Sequence, residues 1–193
     1  TDTSGRIKSF NGSAERMFGY PQSEAIGKNV SILAVEPHRG RHNQYIRRYL
    51  KSKESEALNK GFREVDAQRR DGRIFPVELA LNELKTEGSH KFVATVRDIT
   101  QRRKYEREIR QALAEAVHTF CLDHLGPTLE ADDESETFRK DLFAAMGEQG
   151  FCGVPVPEEH GGLGLGYLEY AIVLEQIARV SASYAVTIAV NGL

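Results

Sequence analysis

Phe62-Arg63-Glu64-Val65-Asp66-Ala67, Arg70-Asp71-Gly72, Ile74-Phe75-Pro76-Val77-Glu78-Leu79-Ala80-Leu81 and Phe92-Val93-Ala94-Thr95-Val96-Arg97-Asp98-Ile99 decide the fold class of the first half of this chain. The three longer runs read as strands, apolar residues alternating with polar ones at a period near two. Asp71-Gly72 supplies the positive-φ position of a tight hairpin between the first two runs. Gly88-Ser89 marks a second turn before the third run. Three such runs in succession make an antiparallel meander.

Working back from the meander, Glu36-Pro37-His38-Arg39-Gly40-Arg41-His42-Asn43-Gln44-Tyr45-Ile46-Arg47-Arg48-Tyr49 reads as a helix. Pro37 suits the first helical position, where a missing N–H costs nothing. His42 and Ile46 stand four apart with Tyr49 three further on, so all three share one face. A histidine among apolar neighbours, flanked by arginines, suits a metal or a haem iron. His38, four residues earlier, also makes a two-histidine face, but no nearby Cys or third His completes such a site. An ordinary surface histidine is the commoner case. Before this helix, residues 21–27 form a turn with a short helix, residues 13–20 a short helix with Gly19 near its end, and residues 5–11 a short strand. Short helices followed by a meander predict an α+β domain with helices on one face of an antiparallel sheet.

The charge is divided along the chain. Residues 1–111 hold 23 Lys and Arg against 15 Asp and Glu, whereas residues 112–193 hold 3 against 13. Such a reversal marks a boundary between segments of different origin. The basic charges are scattered over strands, turns and a helix with no array of stacking aromatics, so no nucleic-acid partner is expected. No apolar run is long enough to span a membrane, no signal segment opens the sequence, and two cysteines make no disulfide framework; a cytoplasmic setting is expected.

After Thr100, a plausible N-cap, Tyr105, Ile109, Ala112, Ala116 and Phe120 recur at spacings of three and four. They make an amphipathic helix over residues 100 to about 125, highly charged in its first part, a linker with one packing face that Gly126-Pro127 stops. An acidic cap region covers residues 130–136. A helix spans residues 138–147, with Phe138, Leu142 and Met146 on one face, and an extended linker spans residues 151–157. One or two buried helices, broken near Ser181-Ala182-Ser183, fill residues 167–190. Gly161-Gly162-Leu163-Gly164-Leu165-Gly166 mimics a phosphate-binding loop. But prolines and Glu158-Glu159-His160 precede it where a dinucleotide fingerprint needs a buried strand, so it reads as a structural turn.

Several of these stretches resemble the PAS sensor domains: Asn11-Gly12-Ser13-Ala14-Glu15-Arg16-Met17-Phe18-Gly19-Tyr20, Ile26-Gly27-Lys28-Asn29-Val30, Arg69-Arg70-Asp71-Gly72 and Arg97-Asp98-Ile99-Thr100. Arg41-His42-Asn43-Gln44-Tyr45-Ile46-Arg47-Arg48-Tyr49 is similar to the haem helix of the FixL-type oxygen-sensing subgroup. That resemblance implies haem with His42 as axial ligand, Arg48 near a propionate, Arg63 reaching O2 or another diatomic gas, and Leu79 and Leu81 as apolar residues beside the gas. The sequence departs from the family ahead of Arg63, where Gly61-Phe62 stands. Family sheets also carry a central strand before the turn seen here as Asp2-Thr3-Ser4-Gly5, and most of that strand is expected to be missing. The light-sensing flavin subtype needs a reactive Cys that residues 1–99 lack. An empty or flavin-binding domain serving only for dimerisation is the alternative.

The second segment resembles the N-terminal helical domain of acyl-CoA dehydrogenases. The likeness is carried by Phe143-Ala144-Ala145-Met146-Gly147-Glu148-Gln149-Gly150-Phe151, Val156-Pro157-Glu158-Glu159-His160-Gly161-Gly162-Leu163-Gly164, Glu175-Gln176-Ile177-Ala178-Arg179-Val180 and Val190-Asn191-Gly192-Leu193. It implies an all-α domain of an FAD-dependent oxidoreductase acting on acyl-CoA. The FAD contacts and catalytic Glu of that family lie downstream of the matching piece, so no catalytic residue is carried over. FAD is expected only in the full-length enzyme, and this chain alone is expected to be inactive. The domains expected are a PAS sensor at 1–99, a signalling helix at 100–111 and the dehydrogenase helical domain at 112–193, in a homodimer or higher homo-oligomer. Together they predict oxygen-dependent control of acyl-CoA oxidation.

Overall fold

The computed structural model describes residues 1–52, 58–86 and 89–191. It divides into two compact units, Thr1–Arg103 and Lys104–Leu193.

In the first unit, α1 (Gly12–Phe18), α2 (Gln22–Ala25), a 3-10 turn (Val30–Leu33) and α3 (His38–Ser52) precede β1 (Arg63–Gln68), β2 (Ile74–Thr86) and β3 (Ser89–Asp98). The strands pair antiparallel in the order β1-β2-β3. Gly72 turns the first hairpin at φ +88°, as the Asp-Gly pair predicts. Of the second expected turn, Ser89 begins β3 and Gly88 lies outside the described residues. The Asn11 side chain caps α1 by accepting from the Ala14 N–H at 2.9 Å, and Gly19 closes it in the left-handed region at φ +75°. Ile7, Phe10, Phe18, Ala25, Ala67, Phe75 and Val77 form the core. The Phe18 ring meets Phe75 edge-on, 5.6 Å between centroids.

Two expectations change here. Residues 5–11 are not a strand of the sheet. Their backbone groups are taken by the segment after α2: the Ile7 N–H donates to Lys28 O, the Gly27 N–H to Ile7 O, and the Val30 N–H to Gly5 O. Ile7 and Phe10, three apart, are both buried, a spacing that period-two reading does not anticipate. Only the first residues lie along β3, where Thr1 exchanges backbone hydrogen bonds with Phe92 and Asp2 bridges Lys91. The second change is at α3, which begins at His38, so Pro37 stands just ahead of it.

α4 (Thr100–His124) is one continuous helix running past the unit boundary, as the spacing from Tyr105 to Phe120 predicts. Asp98, not Thr100, caps it, its carboxylate accepting from the Thr100 N–H at 2.9 Å. The same carboxylate receives Arg69 at 2.6 Å. On the outer face of the sheet, Glu64 and Glu78 stand opposite each other on β1 and β2. Arg102 bridges both, at 2.5 and 2.6 Å, and Arg103 binds Glu64 at 2.5 Å, which fastens the first turn of α4 to the strands.

The second unit holds the rest of α4 with α5 (Leu129–Glu134), α6 (Lys140–Glu148), α7 (Tyr167–Ala178) and α8 (Ala182–Asn191). Its core includes Val117, Cys121, Leu125, Leu142, Met146, Val173, Ile177 and Ile188. Arg110 of α4 and Glu169 of α7 pair at 2.8 Å. The acidic cap region forms the short helix α5. Phe138 precedes α6 rather than joining its apolar face, and its ring stacks on Tyr184 at 4.9 Å. The expected extended linker instead starts with a 3-10 turn, Phe151–Gly153, because Phe151 and Val154 drop into the core. Both cysteines are free.

The glycine-rich stretch is a packed turn. A Cβ on Gly162 would collide with the carbonyl oxygens of Val156 and Gly153, while Gly164 sits at φ +62° and Gly166 stands at the N-cap of α7. Gly162→Ala should destabilise the second unit by about 1–3 kcal/mol, the range for overpacking. A urea or thermal unfolding curve checks this, and an unchanged midpoint would contradict it.

Candidate functional site

Strand register gathers three of the five expected site residues. Arg63 stands directly opposite Leu79, and Leu81 follows two residues along β2. Side chains alternate across a strand, so Arg63, Leu79 and Leu81 share a face with Phe75 and Val77. On β3 the same face carries Val96 opposite Leu79, Ala94 opposite Leu81, and Phe92 opposite Glu83. Towards one end this face is filled: Phe75 and Val77 are 5% and 2% exposed under the core of the unit. Towards the other it is not. Leu79, Leu81 and Val96 are only half-buried and Ala94 is exposed, although Leu79 and Leu81 lie on the central strand. An apolar shelf is left partly uncovered.

α3 supplies His42 on the stripe His42-Ile46-Tyr49, all half-buried. The Tyr49 ring meets Phe92 at 5.8 Å between centroids, so this stripe reaches the inner face of the sheet. Burial, aided by the positive charge of His38, lowers the pKa of His42 and favours the neutral imidazole, the form that binds a metal. Its Nδ1 is buried and has no hydrogen-bond partner; among the described residues only His118 Nδ1 shares that condition. An orphaned buried nitrogen is costly, by about 1–3 kcal/mol. His38 is exposed, its Nδ1 3.2 Å from the Tyr45 hydroxyl. No group of three His, Cys, Asp or Glu among the described residues is placed to hold a metal ion.

Arg48 is exposed and lies off the His42 stripe. Arg63 is also exposed, at the rim of the shelf. Phe62 is 55% exposed with the Arg97 guanidinium over its ring at 5.9 Å, on the side of the outer-face arginine and not among the inner-face residues. Two surface clefts of about 450 and 240 Å³ are lined elsewhere, one by Arg16, Arg69, Arg70 and their neighbours, the other by Thr3, Ser4, Asn43, Ile46 and Arg47. Neither includes His42, Arg63, Leu79 or Leu81. The residues fit a haem in their chemistry: an imidazole whose buried Nδ1 has no partner, a partly uncovered apolar shelf and an arginine at its rim.

Sequence reasoning missed Glu83. It lies on the inner face of β2, its side chain 12% exposed, and receives the Tyr49 hydroxyl at 2.8 Å, His90 Nε2 at 2.6 Å and Lys85 at 2.9 Å. Hydrogen bonds from Lys85 first, then Tyr49 and His90, hold its pKa down to about 2. A depressed carboxylate stabilises the fold above its ordinary value of 4.5, and that contribution is lost as pH falls from there towards 2. Acid unfolding of Glu83→Gln should therefore show a weaker pH dependence over that interval than wild type; superimposable curves would contradict the assignment. Only the recurrence of polar residues at the end of an apolar strand hinted at this cluster.

The chain belongs to the PAS domain family, whose model matches residues 1–101, and the model for the acyl-CoA dehydrogenase N-terminal domain matches residues 107–193. It is thus a PAS domain fused to a dehydrogenase helical domain. Over 130 residues, 67% of this chain and 26% of the relative, it is 38% identical to the sensor protein FixL of Bradyrhizobium diazoefficiens. Over 75 residues, 38% of this chain and 18% of the relative, it is 44% identical to mitochondrial isovaleryl-CoA dehydrogenase of Arabidopsis thaliana. The PAS domain of a Colwellia psychrerythraea protein superimposes with a TM-score of 0.43 and 24% identity, over 52% of this chain and 83% of that one. The chain therefore spans about a quarter of the matched sensor and a fifth of the matched dehydrogenase. No helix among the described residues is long and apolar enough to cross a membrane.

Proposed function

We propose that residues 1–99 hold haem and sense a diatomic gas, O2 foremost, and that residues 100–111 pass the gas signal to an FAD-dependent acyl-CoA dehydrogenase of which residues 112–193 are the first domain. The observation that carries this reading is the half-buried imidazole of His42, its pKa lowered and its buried Nδ1 without a partner, on the helix stripe that reaches a partly uncovered apolar shelf. His42 would be the axial ligand, Leu79 and Leu81 the apolar floor, and Arg48 the cation for a propionate. Haem, when bound, supplies reversible binding of the gas. The chain's own work is then to hold and discriminate. Arg63, at the rim, donates to a gas that gains partial negative charge, and the half-buried leucines exclude water. Asp98 and the Glu64–Arg102–Arg103 cluster tie β1, β2 and β3 to the first turn of α4, the route by which a change at the strands reaches that helix.

A second reading has an observation of its own. Tyr105 and Ile109, four apart on α4, are 60% and 57% exposed, an apolar stripe suited to pairing with a second copy. An interaction module with an empty or flavin-filled PAS domain would use that stripe and hold no haem. The visible spectrum of the purified protein separates the two, since a Soret band belongs only to the first.

The dehydrogenase reading carries a further expectation. The glutamates near the glycine turn have surface or structural tasks: Glu169 binds Arg110 and the Gly166 N–H, Glu175 pairs with Arg179 one helical turn on, and Glu159 is exposed. The 193-residue chain with added FAD should not reduce an artificial acceptor at the expense of acyl-CoA. Turnover that vanishes in Glu175→Gln or Glu159→Gln would show a catalytic base that this account has missed.

A further inference from the structure

α3 stands over the sheet without a core residue of its own. None of its fifteen residues is buried, so packing alone does not hold it. Polar anchors do, near its two ends and in its middle, where the Asn43 side-chain oxygen accepts from Asn29 Nδ2 at 2.8 Å. At the start, the Arg39 guanidinium donates to the carbonyls of Ala34 and Ile32, each at 2.9 Å, and to the Gln68 side chain at the end of β1 at 2.5 Å. Near the far end, the Tyr49 hydroxyl donates to Glu83 at 2.8 Å. His90 and Lys85 complete the shell of that carboxylate, and the Phe92 ring lies against both Tyr49 and His90. A carboxylate held by three donors and largely covered is a fixed point, and Tyr49 fastens the helix to it.

We propose that Glu83 is a positioning residue of the haem site: its bond to Tyr49 latches α3 to β2 and so sets where His42 stands above the shelf of Leu79 and Leu81. The inference rests on the haem reading above. His42 and Tyr49 are seven residues apart on one face, about 10 Å along a rigid helix axis. Releasing Tyr49 lets that end of α3 lift and swings His42 with it. Arg39 and the Asn29–Asn43 bond remain as the hinge in the first half of the helix. The latch touches neither haem nor gas and acts only through the helix.

The test uses the whole chain loaded with haem. Tyr49→Phe keeps the ring against Phe92 and removes only the hydroxyl; Glu83→Gln keeps the side chain's size and removes its charge. Both variants should keep the wild-type Soret spectrum, because His42 is intact, yet release haem to an excess of apomyoglobin roughly tenfold faster, the loss expected for one charged hydrogen bond. In the double variant the two increases should not multiply, because both changes act on the same Tyr49–Glu83 bond. Wild-type release rates in both single variants would overturn the latch, and so would rates that multiply in the double variant. A wild-type chain that takes up no haem would defeat the haem reading instead. The latch is then read from amide hydrogen exchange: faster exchange along α3 in Tyr49→Phe supports it, and unchanged protection overturns it.

Discussion

His42→Ala should abolish haem retention. Haem incubated with the variant should separate from it on gel filtration, and the protein fraction should carry no Soret absorption. The expectation follows from where the residue sits. Burial, and then the neighbouring His38, push its pKa down, and its Nδ1 has no partner in the protein. A neutral imidazole on a helix facing a haem pocket is a sufficient axial ligand. His38→Ala is the control. That ring is exposed and engages Tyr45, so its loss should leave retention and spectrum as in wild type. Identical Soret spectra for the two variants would remove His42 from the site.

Arg63→Ala should weaken O2 binding by roughly tenfold to a hundredfold, since a hydrogen bond from a charged donor contributes about 1.5–3 kcal/mol. CO, which gains little charge on binding, should be far less affected. The geometry supports a selective loss. Arg63 opens β1 opposite Leu79, on the inner face but at its exposed edge, so deleting the guanidinium leaves the apolar shelf in place. The exchange of Phe62 for a smaller residue should not mimic it, because Phe62 lies with Arg97. Equilibrium gas titrations of the haem-loaded chain read both effects. Equal losses for O2 and CO would mean a distorted pocket and no hydrogen bond from Arg63.

Much of this arrangement is legible in the residues themselves. Alternation in β1, β2 and β3 together with the Asp71-Gly72 turn fixes the register, and register alone places Arg63, Leu79 and Leu81 on one face. The His42-Ile46-Tyr49 spacing gives the helical stripe in the same way. What is not legible depends on partners distant in sequence. Residues 5–11 alternate like a strand, yet their hydrogen bonds go to residues 27–30, and nothing local announces that. Thr100 looks like a cap, but Asp98, two residues earlier, carries the stronger acceptor and takes its place. Glu83 escapes notice for a related reason: it becomes special only once Tyr49 and His90, 34 and 7 residues away, converge on it.

The central claim is that residues 1–99 bind haem through His42, and optical titration of the purified chain with haemin tests it most directly. A Soret band should grow to saturation at one equivalent in wild type, keep that endpoint in His38→Ala and be absent in His42→Ala. Absorbance that rises without saturating in wild type, or a saturating band that survives in His42→Ala, would contradict it.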